Sequence, residues 1–223
     1  MLSIVIATRN RHKFRELAEL LRVPGIRWRS LAAFPGLPIV EETGPTFDAN
    51  AIKKARAVAR ATGCLALADD SGLEVEALGG APGVQSARFA GRHGKDAANN
   101  RKLLRLLAGR PLPQRRARYR CSLALAAPSR LITVAQGCWE GRIALRPAGS
   151  RGFGYDPLFL VPRYQKTVGQ LPHRIKQRLS HRAAAARRLR PLLRKLVATS
   201  VQTLNAARRA GSAAGRRGPG RAA

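Results

Sequence analysis

Past Asp156 this 223-residue chain has no acidic side chain at all. Ten of its twelve Asp and Glu residues lie between Glu16 and Asp96, and only Glu140 and Asp156 follow. Against 42 Lys and Arg this gives a formal net charge of +30, carried mainly by the second half, because the first hundred residues hold fourteen basic and ten acidic residues. Such a surface disfavours polycationic partners. It attracts phosphate polyanions, whether nucleotide, nucleic acid or acidic lipid, by a force that salt screens. An Ala/Arg-rich composition serving solubility alone would give the same count, so charge does not choose between these readings.

Cysteine is scarce as well. Cys64, Cys121 and Cys138 are odd in number and lack any C-x-x-C spacing, which argues against a disulfide framework or a zinc site and fits a reducing, cytoplasmic setting. No apolar run approaches the ~20 residues of a spanning helix, and no basic residue precedes the short run that opens MLSIVIATRN. A soluble protein without membrane contact is expected.

What is present reads as a mixed α/β chain. Leu2 to Ala7 suits a buried strand, and a helix is expected over Arg11 to Arg22, with Asn10 as its cap. A second helix spans Asp48 to Thr62, capped by Thr46 or Asp48, with Phe47, Ala51, Ala55, Val58 and Ala59 on one face and Gly63 closing it. A short strand, Leu65 to Ala68, leads into an acidic turn, a Gly/Pro loop over Gly79 to Gly83 and a helix over Asp96 to Ala108. Strands RYRCSLALAA, RLITVAQGCW, GRIALR and YDPLFLV follow without intervening helices and should pair antiparallel. A last helix from Ser180 to Leu196 precedes a Gly/Ala/Arg-rich segment that cannot build a core, so 1–197 is expected to be the folded domain and 198–223 a disordered basic tail.

Several short stretches can carry chemistry. LADDSG with Asp69 and Asp70 is a good turn sequence, and Glu41 and Glu42 in VEETGPTF suit a solvated loop. Together, Glu42 and Asp70 could supply the carboxylate pair that a hard divalent cation takes alongside substrate phosphate oxygens. Lys13 falls in the first turn of its helix, where it adds charge to amides already suited to phosphate. Lys54 is in phase with the buried Ala51 and Ala55, unlike Lys53. GSRGFGYDPLF offers Phe153 as a stacking face between glycines, or simply a hairpin with packed aromatics. Lys176 and Ser180-His181-Arg182 would line up donors for keto oxygens.

In this order, ATRNRHKFREL, EETGPTFDANAIKKA, LADDSGLEVEALGGAPGVQSARFAG, GFGYDPLFLV and LSHR closely resemble the inosine/xanthosine triphosphate pyrophosphatases, the Ham1-like family, from about Leu2 to Leu196. The resemblance implies an elongated mixed central sheet flanked by helices with a second antiparallel lobe. It also implies magnesium-dependent hydrolysis of ITP, dITP and XTP to monophosphate and pyrophosphate by a cytosolic homodimer. Carried over by position, Thr8, Arg9, Asn10, Arg11, His12 and Lys13 form the triphosphate loop with Lys54, Glu42 and Asp70 hold magnesium, Asp70 acts as base, and Ser71 touches substrate. Phe153, Gly154, Tyr155, Asp156, Lys176, His181 and Arg182 match the base-recognition segments. Two departures stand out: Arg9 where glycine is frequent, and Pro172 to Ile175 where a Glu-rich run is common. Maf-like pyrophosphatases are a nearer rival reading, and weak nucleic-acid contact through the basic tail is one from another class.

Overall fold

Strand β1 (Leu2–Ile6) forms from the apolar opening run and lies between β2 (Ile26–Ser30) and β3 (Leu65–Val75), parallel to both. The protein is described by a computed structural model covering residues 1–37, 39–91 and 95–214. Its seven-stranded sheet runs β2-β1-β3-β4-β5-β6-β7. From β3 onward every pairing is antiparallel, through β4 (Arg116–Ala126), β5 (Leu131–Ile143), β6 (Phe159–Val161) and β7 (Lys166–Thr167). The expected mixed architecture is therefore observed, the antiparallel lobe being a continuation of the same sheet.

Helix α1 (Arg11–Leu20) starts where expected because the Asn10 side chain accepts from the N–H groups of His12 and Lys13 at 2.9 and 3.1 Å, satisfying two of the orphan donors of its first turn. Thr46 caps α2 (Phe47–Thr62), and Gly63, at φ 65°, ends it in the left-handed region open to glycine. Its buried face holds the expected Phe47, Ala51, Ala55, Val58 and Ala59 and also Asn50, whose side chain bonds Gly44 N and O. Helices α3 (Asp96–Leu106), α4 (His173–Leu179) and α5 (His181–Ala214) complete the chain. Leu67 packs with α1 and α5 on one face of the sheet, while Ala66 and Ala68 pack with α2 on the other. A third cluster around Leu73, Leu103, Trp139 and Phe159 fills the antiparallel lobe.

Four expectations need correction. The acidic turn does not exist: β3 runs through Asp69, Asp70, Ser71 and Gly72 to Val75, paired with β4 throughout. CW and GRIALR are not two strands but one, β5, because Gly141 is no turn; a Cβ there would come within 2.6 Å of Phe159 and of the Leu160 carbonyl, so it admits β6. In YDPLFLV only Phe159–Val161 is strand, since Tyr155 and Leu158 close a turn. Finally, α5 continues beyond Leu196 to Ala214, and residues 215–223 of the expected tail lie outside the described residues. Strands β2 and β7 were not expected, the first because its Arg27 and Arg29 interrupt the apolar signal.

Many arginines have carbonyl rather than carboxylate partners. Arg190 Nε donates to Leu20 O at the end of α1 (2.8 Å), and Arg187 to Arg178 O at the end of α4 (2.7 Å). Arg115, 4% exposed, donates to Leu107 O, Arg110 O and Ala144 O. Helix ends have such unpaired carbonyls to offer.

Gly137 lets the first turn of α5 lie directly on β5, because a Cβ there would overlap His181 O and come within 2.6 Å of Ala185 N. Gly137→Ala is expected to destabilise the protein by about 1–3 kcal/mol through overpacking, measured as a lowered urea midpoint at unchanged m-value.

Candidate active site

Pairing between β1 and β3 stops at Ile6↔Leu67, while β3 goes on beside β4. The chain leaving β1 turns away through Thr8 to Asn10 into α1, so a cleft opens at the carboxyl end of β1, where open α/β sheets bind ligands. Asp69 and Asp70 stand on β3 at that cleft. Because strand side chains alternate, the two neighbours face opposite sides: Asp69 toward α1 and α5, Asp70 toward α2.

Asp69, 1% exposed, is met by four donors. Lys13 Nζ lies 3.1 Å and Arg182 Nε 3.3 Å from its Oδ2, Ser71 Oγ donates to the same oxygen at 3.2 Å, and Cys121 Sγ donates to Oδ1 at 3.3 Å. Burial alone would push this carboxyl up, but Lys13, Arg182 and Lys54 together hold it well below the ordinary range. Asp70 is the opposite case. Burial raises it, Lys54 (3.8 Å) and Lys13 oppose without cancelling, and its buried Oδ2 has no hydrogen-bond partner among the described residues. Lys54 also donates to Glu42 Oε1 at 2.5 Å and to Asp69 O at 2.7 Å, and its charge outweighs burial to keep Glu42 low. Arg88 braces this loop by donating to Glu42 O (2.9 Å). Lys53, as expected, faces solvent and donates to Thr43.

The other end of the cleft is built by α4, α5 and the loop before β6. Lys176, 8% exposed, lies 2.5 Å from Glu16 Oε1 and 2.8 Å from Asp156 Oδ2. Arg182 reaches Glu16 Oε2 at 2.9 Å and Ser71 Oγ at 2.6 Å. Burial would raise Glu16, but Arg182 and Lys176 hold it below its ordinary range. Phe153 has the Lys176 ammonium 4.6 Å and the Arg182 guanidinium 5.2 Å from its ring centre. His181 stacks on Tyr119 at 4.7 Å; burial, reinforced by Arg182, lowers it well below the ordinary histidine value, and its Nδ1 is buried without a partner among the described residues.

Most of the expected residues thus converge, and a few do other work. Thr8 Oγ1 accepts from Asn10 N (3.2 Å), and Asn10 caps α1. Arg9 donates to Leu37 O (2.9 Å) and, with Arg11, borders a separate cavity of about 420 Å³ against the 30–37 loop. The only non-glycine with positive φ among the described residues is Gln165, so arginine at position 9 is under no backbone strain. Tyr155 directs its hydroxyl to Ser86 O (2.9 Å), and the Gly154 peptide is held on both sides, by Asp96 Oδ2 (2.7 Å) and Asn100 Nδ2 (3.1 Å). The departing segment after Pro172 forms α4, which delivers Lys176 inward. Glu16 was not foreseen, although it follows Lys13 by three positions and so shares its helix face. Arg88 falls within the quoted GGAPGVQSARFAG stretch without an assigned role, and Asp96 and Asn100 left no readable signal.

No three His, Cys, Asp or Glu groups converge among the described residues. The carboxylate pair Glu42 and Asp70 and the partnerless Asp70 Oδ2 suit a hard cation that takes its other ligands from substrate and water.

Asp69→Asn is expected to cost about 3–5 kcal/mol, because the buried Arg182 and the half-buried Lys13 lose their shared anion. With its folded value below the ordinary 3.8, Asp69 contributes fully at neutral pH and loses that contribution only as pH falls below about 3.8. The variant's deficit in urea melts should therefore be constant from pH 5 to 8 and shrink in stronger acid.

A model of the Ham1 family matches residues 4–192. The chain is 52% identical over 195 residues to a dITP/XTP pyrophosphatase of Desulforamulus reducens, covering 87% of this chain and 97% of that one. It is 46% identical over 193 residues to the dITP/XTP pyrophosphatase of Bacillus subtilis, covering 86% and 98%. Among solved structures, a HAM1 protein from Coxiella burnetii superposes with a TM-score of 0.80 at 43% identity, covering 87% of this chain and all of that one. With the fold, the ordered motifs and a match over most of its length in agreement, this chain belongs to the Ham1 family.

Proposed function

We propose that the protein hydrolyses the non-canonical purine nucleoside triphosphates dITP, ITP and XTP to monophosphate and pyrophosphate, clearing deaminated purines from the nucleotide pool. One observation carries this reading: a connected set of side chains runs from Lys13 and Lys54, beside Glu42 and Asp70, through Asp69, Arg182 and Glu16 to Lys176 and the ring of Phe153. The Desulforamulus and Bacillus relatives, dITP/XTP pyrophosphatases, support it.

Lys13 and Lys54 neutralise the triphosphate, and the N–H groups at the start of α1 add to that field. Glu42 and Asp70 would hold magnesium, which when bound supplies a polarised water and charge relief on the departing pyrophosphate. Asp70 accepts the water's proton; burial raises its carboxyl and so makes it the better proton acceptor of the adjacent pair. Ser71, fixed between Asp69 and Arg182, flanks the reacting end.

The base lies against Phe153. Lys176 spends two of its three N–H donors on Glu16 and Asp156, leaving one for a 6-keto oxygen, and His181 keeps a partnerless Nδ1. Adenine presents an amino donor at that position and would leave the remaining Lys176 donor unpaired, a penalty well suited to discrimination. The catalytic domain spans 1–197 and works as a cytosolic homodimer, testable by sedimentation. The arginines beyond Val197 add weak nucleic-acid contact, expected to fade with salt and to vanish on truncation there.

The decisive experiment is a triphosphate panel with pyrophosphate detection. Release from dITP, ITP and XTP should far exceed that from ATP, GTP, dTTP and UTP and should cease on chelation; equal rates across the panel would refute the selectivity, and a dTTP or UTP preference would indicate the Maf-like chemistry. Asp70→Asn should lower kcat by at least about 100-fold without loss of thermal stability in chelator, because the fold already disfavours the charged form.

A further inference from the structure

His12 sits in the triphosphate loop yet its ring faces the other end of the cleft. The imidazole is stacked on Phe153, with ring centres 5.4 Å apart and planes 23° apart. A purine held between two rings needs them about 7 Å apart, at the outer edge of stacking contact. In the observed geometry the face of Phe153 that meets His12 is therefore closed to a base.

Most of the surroundings cannot give way. Phe153 N donates to Asp156 Oδ2 at 2.9 Å, and the following Gly154 peptide is clamped by Asp96 and Asn100 of α3. Lys176 and Arg182, which crowd the phenyl ring, are themselves tied to Glu16. The His12 backbone is fixed by the α1 cap, but its side chain is exposed and makes no hydrogen bond or ion pair among the described residues. The imidazole alone can swing aside by rotation about its own side-chain bonds.

We propose that His12 is a gate on the base slot: in the free protein its imidazole covers Phe153, and an entering base must displace it. The ring contact stands on its own geometry, while the identity of the entering base rests on the pyrophosphatase reading. Because the displacement is a property of the free protein, it weakens the binding of every base by the same factor and leaves the ranking of bases to the stack on Phe153 itself. A ring pair of this kind shifts an equilibrium by about two- to tenfold.

Steady-state kinetics of the full-length protein test this. His12→Ala should lower KM about two- to tenfold, by the same factor for dITP and for UTP, and His12→Trp should raise it. Proton NMR gives a reading independent of turnover: the His12 ring resonance should carry a ring-current shift that disappears in Phe153→Leu and on adding dITP to the wild-type protein. A raised or unchanged KM in His12→Ala, or a His12 resonance indifferent to Phe153→Leu or to dITP, would overturn the gate. A wild-type protein that turns over none of dITP, ITP and XTP would instead remove the pyrophosphatase reading, leaving the Phe153→Leu comparison to judge the ring contact.

Discussion

An ionised carboxylate shut away from water is the constraint on which the cleft depends. Removing Asp69 from solvent is expensive unless cations and hydrogen bonds replace the lost hydration, and the replacement comes from α1, α5, β3 and β4 together. From Asp69 the charges alternate: Lys13 on one side, then Arg182, Glu16, Lys176 and Asp156 on the other. The start of α1 and the loop carrying Phe153 and Asp156 are thereby tied together by one electrostatic chain. Asp70, one residue away on the opposite face, is left with an unpaired oxygen, so adjacent carboxylates sit in opposite electrostatic settings, one lowered and one raised.

Sheet topology makes the contrast possible. Where β1 stops and β3 continues, two consecutive side chains emerge beside the start of α1, with α1 and α5 packed on one face and α2 on the other. A turn at this point, with both aspartates pointing into solvent, would give neither the buried anion nor the raised neighbour.

Local signals in the sequence were read correctly where a single interaction sets the structure. Asn10 and Thr46 announced their helices by capping, the buried face of α2 followed from its period, and Lys54 was separated from Lys53 by phase. Misreadings occurred where a residue serves a distant partner. Asp-Asp-Ser-Gly resembles a turn because its charges look solvent-seeking, yet lysines and an arginine from elsewhere in the chain make it a strand. Gly141 likewise resembles punctuation but is the space into which Phe159 fits. Most of the site could be named from ordered motifs, whereas Glu16, Asp96 and Asn100 act through contacts that only the folded chain brings together.

Because most of the carboxylates near the cleft are engaged there, the guanidinium groups of the second half close helix ends by donating to carbonyl oxygens. Arg115, Arg187 and Arg190 do so at the ends of α3, α4 and α1. A carbonyl has no titratable proton and no net charge, so these braces ignore acid and are little weakened by ions in solution. The scaffold and the cleft thus answer to different variables: acidification dismantles the alternating chain first, and the frame that carries it outlasts the chemistry it supports.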